Sequence, residues 1–191
     1  VGKGVVSEDE ASLEDFEVIF QAVPAYDGDL HYGGRIIFDD DGNLFLTTGE
    51  RSDDPIRERA QDLDAYLGKV IHITQDGEAV DTNPFIEDED ALDGIYSYGH
   101  RNIQGVDFHP ETGDLWTVEF GPQAGDELNI IEPGSNYGWP IVSYGIEYTG
   151  ELVNNGISEH EEQGFVEPVY YWDPTSAPSG MSFYDNDAIP E

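Results

Sequence analysis

An internal repeat with a period of about 70 residues limits the folds open to this chain more than any other feature. Residues 36–49 read IIFDDDGNLFLTTG and residues 106–121 read VDFHPETGDLWTVEFG. Each copy is a β-rich run, a polar turn with glycine and a second β-rich run, and Phe38 and Phe108 are 70 residues apart. A third copy begins at residue 180, with Phe183 another 75 residues on, and the chain ends where its second strand should start.

The repeat predicts an all-β fold of the propeller type. Each copy indicates two antiparallel strands joined by a short turn. A blade has four strands, and complete propellers usually have about 4–8 blades. We therefore predict that residues 1–191 form one partial propeller domain of about two and a half to three blades, incomplete at both ends. Further strands are predicted at 69–74, 95–98, 127–131 and 169–171, and a short helix or helical turn at 57–67.

The charge balance is extreme, with 42 acidic side chains against 7 basic ones and a formal net charge of −35. Self-repulsion of this size destabilises a compact state unless salt screens it. A disordered acidic tail would explain the charge, but the acids are spread through hydrophobic runs. We interpret the composition as an adaptation to high salt, as in halophilic organisms. Without a basic patch, nucleic acid is not expected as a partner.

Two further absences bound the reading. The chain has no cysteine, which excludes disulfides and zinc–thiolate sites. No apolar run reaches membrane-spanning length.

Two basic side chains beside β-rich runs are candidates for chemistry. His31, in HYGGR, precedes the first repeat, where a histidine can act as a general base near neutral pH. Arg101, in YGHRNIQG, offers a permanently charged fork of donors for a carboxylate or a polarised carbonyl. The competing interpretations are a loop histidine without a role and an arginine that pairs with one of the many acids.

Residues 119–140 are rich in oxygen donors. Calcium binds six to eight oxygens from carboxylates and backbone carbonyls. The segment supplies carboxylates at Asp126 and Glu127 and loop carbonyls at Gly121 and Pro122. A solvated acidic loop is the competing interpretation, and no EF-hand spacing is present. Trp172, in a proline-rich loop, could stack on a planar cofactor or pack between blades.

Seven segments taken in order resemble the soluble quinoprotein glucose dehydrogenase and aldose sugar dehydrogenase family. These segments are HYGGRIIF, GNLFLTTGE, LGKVIHI with DTNPF, YGHRNIQG, EFGP with GDELN, NYGWP and APSGMSFY. The resemblance covers the chain from about residue 17 onward. It implies a six-bladed propeller that oxidises an aldose at its anomeric hydroxyl to a lactone, using pyrroloquinoline quinone (PQQ) and calcium, with an external electron acceptor.

The resemblance also implies roles for single residues. His31 corresponds to the general base that takes the hydroxyl proton while hydride moves to the quinone. Arg101 corresponds to the cation that stabilises charge on the reduced cofactor, with Asn102 beside it. The carbonyls of Gly121 and Pro122 correspond to ligands of the calcium that polarises the quinone.

Five other positions have counterparts in the family. Asp126, Glu127 and Tyr137 correspond to a structural calcium site, and Trp172 and Thr175 to cofactor contacts. The alternative from another functional class is a non-catalytic extracellular propeller that serves as a binding module or adhesin. For either function we expect an extracellular, periplasmic or cell-surface location.

Overall fold

The computed structural model describes residues 1–156 and 159–186, which form three antiparallel sheets with little helix. The first sheet is a hairpin of two strands, and the other two sheets have four strands each, in sequence order. The strands are β1 (Gly2–Val6), β2 (Leu13–Val18), β3 (Gly33–Phe38), β4 (Leu44–Thr48), β5 (Lys69–Ile73), β6 (Ile95–Tyr98), β7 (Ile103–Phe108), β8 (Leu115–Glu119), β9 (Asp126–Ile130) and β10 (Tyr170–Trp172). The only α-helical segment described is α1 (Asp54–Arg57), and 3-10 turns follow at Glu58–Ala60, Val153–Asn155 and Glu161–Gln163.

The two predicted repeats form hairpins of the same register. Phe38 pairs with Leu44 at the end of β3, and Phe108 pairs with Leu115 at the end of β7. Both turns contain a glycine with positive φ, because such a backbone is accessible to glycine at little steric cost. The third copy lies beside β7, where the backbone N–H of Phe183 donates to Asp107 at 2.8 Å. Its end, residues 187–191, lies outside the described residues.

The structure shifts or adds a few elements relative to the prediction. The predicted strands at 69–74, 95–98, 127–131 and 169–171 are present within one residue at each end. The helical turn predicted within 57–67 is present at Glu58–Ala60, and the helical structure starts earlier than predicted, at Asp54. Pro55 explains the early start, since proline is favoured in the first turn of a helix. The β1–β2 hairpin was not predicted.

The core lies between the two four-stranded sheets and on the opposite face of the first of them. Phe45, Val70 and Ile103 are buried in the inter-sheet cluster. Leu44, Leu46 and Ile71 are buried on the other face. This alternation follows from the two-residue period of strands β4 and β5, which are buried on both faces.

The first strands of the two four-stranded sheets, β3 and β7, lie side by side. Their contact brings together the loops that precede and follow them. Arg35 on β3 donates to the carbonyl of Gln104 on β7 at 2.5 Å. No helix in the described ranges is long and apolar enough to span a membrane.

Candidate active site

His31 lies just before β3 with a strained backbone. Its φ is +51°, in the left-handed region that costs a non-glycine residue roughly 1–2 kcal/mol. Gly49, just after β4, makes room for it, because a Cβ at Gly49 would lie 2.1 Å from the His31 carbonyl oxygen. The site therefore depends on close contact between the two ends of the β3–β4 hairpin.

The imidazole of His31 is held by a buried carboxylate. Its Nδ1 lies 2.7 Å from Oε2 of Glu50, whose side chain is fully buried, while 13% of the His31 side chain is exposed. Glu50 Oε2 also accepts from the backbone N–H of Ser52 at 2.9 Å, and Oε1 accepts from the indole Nε1 of Trp139 at 3.1 Å. Because the carboxylate accepts from every neighbour, Nδ1 of His31 carries the proton, and in the neutral ring Nε2 has the lone pair of a base.

Arg101 adjoins this pair from the loop between β6 and β7. The backbone N–H of Glu50 donates to the Arg101 carbonyl at 3.1 Å. The guanidinium is 5.2 Å from the centroid of the Trp139 ring, so one tryptophan contacts both the arginine and the carboxylate of Glu50. His31 and Arg101, far apart in sequence, therefore belong to one site.

The Arg101 guanidinium is almost completely buried, with 6% of the residue exposed. Its Nη1 donates to the carbonyls of Phe120 at 2.9 Å and Gly121 at 2.6 Å. Its Nε has no hydrogen-bond partner among the described residues. Burial lowers the pKa of Arg101, although an arginine remains charged at any working pH. The site thus contains a fixed cation with an unused donor.

Asn102 joins the two loops. Its Oδ1 accepts from the backbone N–H of Gly33 at 3.1 Å and from Nε2 of Gln104 at 2.9 Å. The residue is buried, and its contacts hold the start of β3 against β7. In this structure Asn102 positions the loop of His31.

A small, partly open cavity adjoins Arg101. Its volume is about 10 Å³, roughly the space of one water molecule or ion, and its lining includes Gly121, Pro122, Glu119 and Glu127. Asn129 Nδ2 donates to both carboxylates, at 3.2 and 3.3 Å, while its Oδ1 is unpartnered within the described chain. Burial, then the charge of Glu119, raises the pKa of Glu127 well above its usual range. Glu119 Oε2 also accepts from the backbone N–H of Arg101 at 2.7 Å, and its Oε1 lies 3.1 Å from Nδ1 of His100.

Asp126 points away from that cavity and anchors a loop. Its Oδ1 accepts from the backbone N–H of Gly121 at 2.9 Å. Its Oδ2 accepts from the Thr175 hydroxyl and from the backbone N–H groups of Ser176 and Ala177 at 2.8 and 2.7 Å. These donors saturate Oδ2, while Oδ1 has one donor among the described residues for its two acceptor positions. The predicted calcium ligand Asp126 and the predicted cofactor contact Thr175 therefore bind each other.

The two remaining aromatic predictions are engaged in packing. The Tyr137 hydroxyl donates to the Ile130 carbonyl at 2.6 Å and accepts from the Glu132 backbone at 2.8 Å, and burial raises its pKa. Tyr137 also lines the cavity beside Arg101, and its assignment to a structural calcium site stays a prediction. Trp172 lies in the edge strand β10, with its ring edge-on to Tyr170 at 5.0 Å.

With this geometry in view, the whole chain, residues 1–191, matches the family model described as Glucose / Sorbosone dehydrogenase. The chain belongs to the glucose/sorbosone dehydrogenase family. It is 42% identical over 191 residues to the aldose sugar dehydrogenase YliI of Escherichia coli (strain K12), which covers 100% of this chain and 50% of that protein.

Solved structures of this family agree with the fold. The soluble aldose sugar dehydrogenase of Escherichia coli in its apo-form superposes with a TM-score of 0.91 at 41% identity, covering 99% of this chain and 53% of that one. The PQQ-bound aldose sugar dehydrogenase of Streptomyces coelicolor gives 0.74 at 34% identity, covering 95% and 48%. The chain spans about half the length of the curated relatives it matches.

For this member of the glucose/sorbosone dehydrogenase family, the sequence prediction missed Glu50, and it left Trp139 of NYGWP open between lining a site and packing between blades. A signal for Glu50 was present in the hairpin. Gly33 pairs with Thr48, so continuing the same register by two residues places His31 opposite Glu50. Trp139 has no comparable signal, because it reaches Glu50 across 89 residues of sequence.

Proposed function

We propose that the protein oxidises an aldose at its anomeric hydroxyl to the lactone, with PQQ and calcium, and passes the electrons to an external acceptor. Each four-stranded sheet is, in this proposal, one blade of a six-bladed propeller, and the β1–β2 hairpin is part of the preceding blade. The observation that carries the proposal is the buried His31–Glu50 pair beside the buried cation of Arg101.

The side chains divide the work of proton removal. His31 Nε2 accepts the proton of the sugar hydroxyl, and general bases of this kind contribute about 10²–10⁴-fold to rates. Glu50 keeps the proton on Nδ1 in the resting state and stabilises the imidazolium after transfer. The indole N–H of Trp139 and the backbone N–H of Ser52 keep the carboxylate in place. Burial of Glu50 excludes water, which strengthens its interaction with the imidazolium.

The residues present fit a quinone cofactor. The unpartnered Nε of Arg101 is a charged donor available to an anionic or carbonyl group. The face of Trp139 packs on the guanidinium, which fixes the direction of those donors. Bound PQQ supplies the two-electron acceptor of the reaction. Arg101 stabilises the acceptor when it carries negative charge more strongly than when it is neutral.

The groups that line the cavity beside Arg101 are of the kind that binds calcium. Gly121 and Pro122 offer backbone carbonyls, and Glu119 and Glu127 offer buried carboxylates. Such an ion would share the Gly121 carbonyl with Arg101. Carboxylates by themselves do not complete a cage, since no group of three or more acidic, histidine or cysteine side chains in the described residues is arranged to bind a metal. Asp126 does not line this cavity, so we leave it out of the proposed ligand set.

The test is aldose oxidation by the full-length protein, purified in high salt, with an artificial electron acceptor. We expect turnover only after reconstitution with both PQQ and calcium, and its loss on chelation with EDTA. Nicotinamide cofactors in place of PQQ serve as the control. If the protein binds neither PQQ nor calcium, the proposal is contradicted and a non-catalytic binding module becomes the better explanation. Turnover without PQQ and calcium also contradicts the proposal.

A further inference from the structure

Arg51, one residue after Glu50, contacts the backbone of His31. Its Nη1 donates to the His31 carbonyl at 2.8 Å and to the Gly49 carbonyl at 2.6 Å. Its own backbone N–H approaches the same His31 carbonyl at 3.4 Å, and its guanidinium lies 4.3 Å from the centroid of the Tyr32 ring. Only 8% of Arg51 is exposed. The side chain therefore encloses the peptide group between residues 31 and 32.

The backbone at His31 needs such a contact to stay in place. A residue with positive φ returns to the right-handed or extended region unless its surroundings hold it. For His31 that rotation would swing the imidazole away from Glu50. Residues 49–51 resist it in three ways, since Gly49 admits the carbonyl, Glu50 binds the ring and Arg51 binds the carbonyl oxygen.

Arg51 uses its donors as Arg35 and Arg101 do, on backbone carbonyls, and differs in this from Arg57 and Arg59. Arg57 pairs with Glu147 at 2.7 Å, and Arg59 pairs with Asp62 and Asp64 at 3.1 and 3.0 Å. Arg51 forms no ion pair with a carboxylate among the described residues, although the chain has 42 acids. Burial lowers the pKa of Arg51, as expected for a buried cation without a carboxylate ion pair. Burying the Arg51 guanidinium without a carboxylate partner costs stability. We explain that cost by the contact with the His31 carbonyl.

We propose that Arg51 is a positioning residue that locks the left-handed backbone of His31 and so keeps the imidazole aligned with Glu50. This inference rests on the proposed function only for its effect on turnover. The alignment itself is a property of the cofactor-free protein.

The experiment uses the full-length protein in high salt with four variants. Arg51→Met keeps the length of the side chain and removes every donor. Arg51→Lys keeps a cation that can donate to two carbonyls, as the ammonium of Lys69 donates to three in this structure. Arg59→Met is the matched control, because it removes an arginine that pairs with exposed acids. His31→Gln reports on the proposed function separately.

Two readouts distinguish positioning from general damage. The first is the low-field NMR signal of the His31 Nδ1–H in the apo-protein, assigned by its loss in His31→Gln. The second is the set of kcat, KM for the aldose and Kd for PQQ. We expect Arg51→Met to lose the Nδ1–H signal and to lower kcat about tenfold or more, with KM and Kd changed by less than about threefold. Arg51→Lys should recover most of both, and Arg59→Met should change neither.

The outcomes decide the matter as follows. An Nδ1–H signal that persists in Arg51→Met overturns the proposal whatever happens to kcat. A parallel loss of PQQ affinity, or the same loss in Arg59→Met, also overturns it, because the effect is then general. Wild-type turnover in His31→Gln refutes the proposed function but leaves the NMR comparison valid.

If Arg51→Met does not fold, Tyr32→Leu removes the ring under the guanidinium, with Tyr32→Phe as its control. An unchanged Nδ1–H signal in Tyr32→Leu then counts against the proposal.

Discussion

At the residue scale, His31 and Glu50 form the unit on which the proposed proton removal depends. The 2.7 Å contact leaves Nε2 as the one nitrogen of the ring available to a substrate. We expect His31→Gln to reduce turnover by roughly 10²-fold or more, the range of general acid–base catalysis, with PQQ binding nearly intact. Steady-state aldose oxidation together with a PQQ titration measures both quantities. Wild-type turnover in this variant would mean that another group is the base.

In the proposed mechanism, Glu50 contributes its negative charge and its two acceptor oxygens. Glu50→Gln tests both contributions because it keeps the size of the side chain. The amide keeps one oxygen for Trp139 or Ser52 but places an NH₂ group near donors and removes the negative charge. We expect turnover to fall about 10²-fold or more, with a smaller change in PQQ affinity, because the wrong tautomer of His31 is then favoured. Glu111→Gln, at an exposed turn between β7 and β8, is the matched control. Equal activity of the two variants would remove Glu50 from the mechanism.

At the scale of elements, Lys69 holds the segment between β4 and β5 that passes beside the site. This lysine begins β5, is fully buried, and donates to the carbonyls of Arg59, Ala60 and Leu67 at 3.0, 2.9 and 2.7 Å. Gln61, next in the same segment, donates to the Trp139 carbonyl at 2.7 Å. Desolvation lowers the pKa of Lys69 from 10.5 to about 7.

This lowered pKa predicts how stability depends on pH. Between about pH 7 and 10.5 the unfolded chain binds the lysine proton more strongly than the folded one, so the free energy of unfolding rises with pH. The rise is at most about 1.4 kcal/mol per pH unit. In urea denaturation at constant high salt, we expect the unfolding free energy of the wild type to rise by about 1–2 kcal/mol relative to that of Lys69→Met between pH 7 and pH 9. A difference independent of pH would show that Lys69 does not lose its proton in the folded protein.

At the scale of the whole molecule, charge dominates. The formal net charge is −35. Lys3 on the first hairpin forms two exposed ion pairs, with Glu17 at 3.1 Å and with Asp76 after β5 at 2.5 Å. Charges are screened over about 10 Å at 0.1 M salt and about 3 Å at 1 M. We expect the melting temperature to rise steeply with potassium chloride, and less in sucrose, which does not screen charge. A melting temperature that is flat across the chloride series would contradict the interpretation as a halophilic protein.

Sequence alone determined the parts of this protein that depend on neighbours a few residues apart. The hairpins β3–β4 and β7–β8, their glycine turns and their shared register follow from alternating side chains and local turn chemistry, which act within about fifteen residues. The same register places Glu50 opposite His31, although that consequence was not drawn from the sequence.

Tertiary structure decided which polar groups meet across long separations. Trp139 reaches Glu50 across 89 residues, and Thr175 reaches Asp126 across 49, where it uses a carboxylate that the sequence offered to calcium. Many acids in this chain have the right chemistry for such contacts. The partner of a buried group is decided by which loops the packed sheets bring together, because a buried polar atom must be paired with whatever donor or acceptor lies within reach.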